Sequence, residues 1–189
     1  MPLGKIFSTR LTGTSSSKTN PFQESLGMKI LITGGVRSGK SSYALRIAEE
    51  RFRGRKVFLA TTVPFDTEMR LRVEAHKNQR PESYETIEEP VEIQKAVAEN
   101  LVLDCVTMWI NNLFHYRKQN RWEEILSQFL STLKKNAIIV TNEVGWGNIP
   151  ADPDVRSFNE ILGKANQRIA IEMDEVFLMV SGIPVKIKG

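Results

Sequence analysis

The run Gly34-Gly35-Val36-Arg37-Ser38-Gly39-Lys40-Ser41 constrains this chain more than any other stretch. It fits the pattern G-x-x-x-x-G-K-[ST], with a β-branched segment, Lys29 to Thr33, before it and a helical pattern from Ser41 after it. Glycines there permit a tight loop, and the backbone N–H groups together with the helix N-terminus face an anion. Lys40 then reaches the β and γ oxygens of a nucleoside triphosphate, and Ser41 can hold Mg²⁺. A purely structural Gly-rich turn requires neither the lysine nor the flanking elements.

The rest of the chain repeats the same alternation. Lys56 to Ala60, Leu101 to Asp104, Ala137 to Thr141 and Val176 to Val180 read as further strands. Helical patterns fall at Ser41 to Arg53, Thr67 to Lys77, Val91 to Glu99, Thr107 to Lys118, Trp122 to Lys135 and Asp154 to Met173. Strands that are almost wholly apolar are buried on both faces, so helices must cover a largely parallel sheet. The expected fold is α/β, a P-loop NTPase-like three-layer architecture.

At 189 residues the chain suits one core, placed at 28–189. Residues 1–27, rich in Ser, Thr, Gly and Pro, read as a disordered tail or a misassigned start, with Met28 as the alternative first residue. Their acid-poor, Arg-containing composition also fits a transit peptide, the less favoured reading. Cys105 is the only cysteine, which excludes an intrachain disulfide and makes the cytoplasm the default location. No apolar run approaches the ~20 residues of a membrane span. The net charge of +4 comes without a dense basic stripe or interleaved aromatic stacking positions, so no nucleic-acid partner is expected. A P-loop ATPase linked to nucleic acid is the weaker alternative class, and polynucleotide-stimulated hydrolysis would distinguish it.

Ligands of open α/β sheets gather beyond the carboxyl ends of the strands. Asp104 ends the run Leu101-Val102-Leu103, where it serves either as the second carboxylate for a hydrated metal or as a cap for the helix starting near Thr107. Glu143, after the strand ending at Thr141, is the runner-up metal or acceptor-site carboxylate. Arg72, His76 and Arg80 are spaced i, i+4, i+8, so a continuous helix aligns them on one face. Two guanidiniums there oppose imidazole protonation and attract a triphosphate, and a neutral histidine beside phosphate is a competent nucleophile. A solvated surface histidine is the plain alternative for His76, and the preferred reading for His115.

Several stretches together resemble a known family. They are Ile32 to Ser41, Ala60-Thr61-Thr62, Arg72 to Pro81, Val140-Thr141-Asn142-Glu143-Val144-Gly145-Trp146-Gly147, Asn166-Gln167-Arg168, and the ending Val180 to Lys188. From Met28 to Lys188 the chain resembles the bifunctional adenosylcobinamide kinase / adenosylcobinamide-phosphate guanylyltransferases of cobalamin biosynthesis. The resemblance implies that ATP or GTP phosphorylates adenosylcobinamide at one nucleotide site. The family's histidine, matched by His76, then attacks the α-phosphorus of GTP and passes GMP to adenosylcobinamide phosphate. It further implies nucleotide contacts from Ala60, Thr61, Thr62, Lys77, Asn78, Gln79, Arg80 and Glu88, and a homotrimer. Asp104 stands where some relatives carry Glu, and Ala75 where some carry a second histidine. A single-function kinase or nucleotidyltransferase remains the alternative within enzymes.

Overall fold

The computed structural model describes residues 27–64, 67–78, 81–146 and 149–189, without the side chains of 69, 72, 75, 76 and 78. Strand β1 (Lys29–Gly34) leads through the P-loop into α1 (Lys40–Arg51). β2 (Lys56–Ala60), α2 (Thr67–Asn78) and β3 (Tyr84–Glu88) follow, then β4 (Leu101–Asp104), α3 (Val106–His115) and α4 (Trp122–Thr132). β5 (Ala137–Val140), α5 (Pro153–Glu172), β6 (Glu175–Val180) and β7 (Ile183–Lys188) complete the order. The strands form one sheet, β3-β2-β4-β5-β1-β6-β7, parallel throughout except for the antiparallel β6–β7 pair.

The three layers follow from the alternation of side chains along the central strands. On one face Ile30, Ile32, Phe58, Val102 and Ile138 pack against Ala44, Ile47 and Ala48 of α1 and Phe52 just after it. On the other, Leu31, Leu59, Leu101, Leu103 and Ile139 meet α3, α4 and α5 through Trp109, Ile110, Phe129, Leu162 and Ile169. Each such aliphatic side chain taken from water contributes roughly 1.5–3 kcal/mol, so the two faces fix where the strand ends lie. Among the described residues, no helix is long and apolar enough to cross a membrane.

Two strands and one helix differ from the sequence reading. β3 and β7 are the edge strands, and their exposed, partly charged residues lack the continuous apolar run that marks the buried strands. The helix expected over Val91 to Glu99 is a 3₁₀ turn at Ile93–Ala96 only. Trp109 Nε1 donates to Val91 O at 2.8 Å, and the Glu89 carboxylate accepts from the backbone N–H groups of Val91 and Glu92. Lys95 N donates to Glu92 O at 2.9 Å, an i+3 bond, and Val97 is already extended, so the segment closes as a single 3₁₀ turn. α3 ends at His115 and α4 at Thr132, each about one turn short of expectation.

Candidate nucleotide site

The loop that follows β1 takes its shape from two glycines. Gly34 has φ 143°, and a Cβ there would lie 2.5 Å from Met179 O. Gly39 has φ 90° and is the residue from which α1 starts. Gly182 N, in the β6–β7 turn, donates to Ser38 O at 3.1 Å, and Glu143 N donates to Gly34 O at 3.1 Å, so neighbouring segments brace the loop at both ends. The first turn of α1 has neither an acidic residue nor a side-chain cap, which leaves its N-terminal N–H groups and positive dipole end directed at the loop.

Over this loop lies a cleft of about 450 Å³, lined by residues 36–42 together with Asp104, Cys105, Val140 and Asn142. Val36, Arg37, Ser38, Gly39, Lys40, Ser41 and Asp104 thus meet in one place, framed by Gly34 and Gly35. Lys40 is 7% exposed, and its ammonium donates to Gly35 O at 2.5 Å and to Ser38 Oγ at 3.4 Å. Burial lowers the Lys40 pKa, against the opposing influence of Cys105 and Asp104. Burial also pushes the Cys105 thiol up to about 12, so near neutral pH it is uncharged and Asp104 is the partner that offsets the burial of Lys40.

The position of Asp104 bears on its two expected roles. The N-cap position of α3 belongs to Cys105, with no side-chain cap bond, while Asp104 is the last residue of β4 on the cleft wall. The capping role is therefore not the one its placement supports. Its strand is not the neighbour of β1, because β5 lies between them. Glu143 does not line this cleft: its carboxylate turns to Thr33 and Asn166, which removes it as the alternative metal carboxylate.

The other sequence-predicted residues lie elsewhere. Ala60 sits beside Asp104 in register at the end of β2, but neither it, Thr61, Thr62, Lys77 nor Glu88 lines the cleft. Lys77 and Glu88 pair with each other. His76 lies on α2, which ends at Asn78, so the helical continuation to Arg80 lies outside the described residues, as does Gln79. His115 is exposed at the end of α3, its ring 4.9 Å from that of Tyr116. Asn142 is a lining residue missed as a site residue in its own right. Its only sequence signal was membership of the Thr141-Asn142-Glu143 stretch.

Thr61 shapes the site indirectly. It is 0% exposed, and its hydroxyl donates to Cys105 O at 2.8 Å while accepting from Cys105 N at 2.9 Å. Its own carbonyl accepts from Asn112 Nδ2 at 2.6 Å. The hydroxyl is thereby committed to the backbone that carries Asp104 into the cleft. Thr61→Val keeps the shape and leaves Cys105 N–H without its acceptor, while Cys105 O keeps the bond from Trp109 N at 3.1 Å, for an expected stability loss of ~1–3 kcal/mol. Urea denaturation measures this, and an unchanged midpoint would show that the hydroxyl does not hold the turn.

Comparison with known proteins places the chain in a family. A family model described as cobinamide kinase / cobinamide phosphate guanyltransferase matches residues 30–187. The chain is 34% identical over 183 residues to the bifunctional adenosylcobalamin biosynthesis protein CobU of Escherichia coli K12, covering 85% of this chain and 100% of that protein. It is also 34% identical over 172 residues to the bifunctional adenosylcobalamin biosynthesis protein CobP of Pseudomonas aeruginosa PAO1, covering 86% and 98% respectively. Among solved structures, the flagellar accessory protein FlaH of Methanocaldococcus jannaschii is similar over 86% of this chain and 78% of its own, with a TM-score of 0.47 and 14% identity. The match spans nearly the whole sheet and both ends of the nucleotide cleft, and the chain belongs to the cobinamide kinase / cobinamide phosphate guanyltransferase family.

Proposed function

We propose that this protein phosphorylates adenosylcobinamide and then transfers GMP from GTP to adenosylcobinamide phosphate, as a cytoplasmic homotrimer with one nucleotide site for both reactions. The observation that carries this reading is the meeting of Lys40, Ser41 and Asp104 in a single cleft over the N-terminus of α1. In the kinase step the acceptor hydroxyl oxygen bonds to the γ-phosphorus and the β–γ bridging bond breaks. In the second reaction His76 attacks the α-phosphorus of GTP and the α–β bond breaks, releasing pyrophosphate. The acceptor phosphate then displaces the histidine, giving adenosylcobinamide-GDP and restoring the imidazole. Lys40 and the loop N–H groups hold the phosphates in both reactions, and cation and dipole stabilisation of this kind suits charge that develops on phosphate oxygens.

The residues fit Mg²⁺. Ser41 and Asp104 offer hard oxygen donors, and few protein ligands are needed where water and phosphate supply the rest. Among the described residues, no cluster of three His, Cys, Asp or Glu forms a dedicated metal cage, in keeping with such a site. Bound there, Mg²⁺ would neutralise phosphate charge.

Incubation of the protein with adenosylcobinamide, GTP and Mg²⁺ should yield adenosylcobinamide-GDP, and its absence would contradict the reading. Asp104→Asn keeps the size and removes the charge. Turnover should fall with the fold intact and be partly recovered at higher Mg²⁺. A metal dependence identical to that of the wild type would remove Asp104 from this role.

A further inference from the structure

A second cleft, of about 230 Å³, opens on the face of β1 opposite α1. Leu31, Ala170, Val176 and Ile187 give it apolar walls beside Thr33, Asn166 and Gln167, and among the described residues Glu143 is its one carboxylate. That carboxylate is oriented through a single oxygen. Thr33 Oγ1 donates to Glu143 Oε1 at 3.0 Å, and Asn166 Nδ2 donates to the same atom at 3.1 Å. Asn166 is itself held, its Oδ1 accepting from Thr141 Oγ1 at 2.8 Å. Among the described residues, no partner reaches Glu143 Oε2. A half-buried carboxylate oxygen in such a place takes its hydrogen bonds from solvent or from a ligand.

Gly163 gives a second, independent sign. It lies inside α5 on the cleft wall, and a Cβ built there would meet no heavy atom within 4 Å. Packing within this chain therefore does not require glycine. A helix interior disfavours glycine relative to alanine, so α5 carries an unfavourable residue where it keeps the cleft open.

We propose that this cleft binds the acceptor, taking an arm that carries a hydrogen-bond donor on a short apolar chain, with the donor directed to Glu143 Oε2. This rests on the function proposed above, in which the arm is the hydroxyl-bearing side chain of adenosylcobinamide. Asn142 lines the first cleft and Glu143 the second, so consecutive residues of one segment contribute to both. A phosphate group in this cleft would face the Glu143 carboxylate, so the cleft favours the hydroxyl over the phosphorylated product.

Calorimetric titration of the full-length protein with adenosylcobinamide tests this, with Gly163→Leu to fill the cleft and Glu143→Gln to present an N–H group in place of the acceptor oxygen. Each variant should weaken binding at least tenfold. Gly163→Leu should do so with an unchanged or raised melting temperature and intact labelling by GMP from GTP, a combination that a merely structural role would not give. Binding within twofold of wild type in both folded variants would overturn the proposal. So would a Gly163→Leu protein that loses its oligomeric state but keeps acceptor affinity, since the cleft would then serve a second copy. If wild type binds adenosylcobinamide and never phosphorylates it, the kinase reading fails while the cleft stands. Absence of wild-type binding overturns the cleft.

Discussion

Lys40→Ala is expected to lower both the kinase and the guanylyl-transfer activity by about a hundredfold or more. In the function proposed above one P-loop serves both reactions, and a preorganised cation facing developing phosphate charge contributes ~3 kcal/mol or more. At 1.4 kcal/mol per decade this is about two orders of magnitude in rate. The fold should survive. The ammonium is a buried cation that donates to Gly35 O and Ser38 Oγ, both within its own loop, so its removal also relieves the cost of burying a charge. The check is a pair of assays on one preparation, phosphorylation of adenosylcobinamide and GMP transfer to adenosylcobinamide phosphate. Near-normal transfer with the kinase step lost would mean that the two reactions use different sites.

The parts of this site that were legible in the sequence are those in which local chemistry and local geometry coincide. The P-loop is continuous, so its glycines, Lys40 and Ser41 carry their own geometry, and the buried strands announce themselves as apolar runs. Asp104 was legible because it ends such a run. Its placement depends on α3 starting from Cys105 and on β5 intervening between β4 and β1, neither of which spacing along the chain reveals.

Edge strands were the systematic loss. Tyr84–Glu88 and Ile183–Lys188 pair on one side only, and their polar positions break the apolar signal that buried strands give. The turn at Ile93–Ala96 was lost for a different reason, because side chains of α3 and Glu89 hold its backbone through contacts distant in sequence or specific to one rotamer. The same limit applies to Thr61. The family resemblance implied a nucleotide contact at Thr61, and nothing in the chain's spacing shows that its hydroxyl bonds Cys105, 44 positions away.

His76→Asn is expected to separate the two reactions. In the kinase step the acceptor hydroxyl attacks the γ-phosphorus directly, so the P-loop suffices and activity should stay within a few-fold of wild type. In the proposed mechanism guanylyl transfer proceeds through a covalent bond to the imidazole, so its loss should be complete within detection. Near-normal transfer by a folded variant would rule out the histidine route, and parallel loss of both activities would point to a role for His76 in nucleotide binding instead.

The most direct measurement is incubation of wild type and His76→Asn with α-labelled GTP and Mg²⁺, followed by denaturing electrophoresis. The account predicts a label on the wild-type chain that is labile in acid and stable in base, as expected of a phosphoramidate, and none on the variant. A label of equal strength on His76→Asn, or no label on a wild-type enzyme that nonetheless transfers GMP, would contradict it.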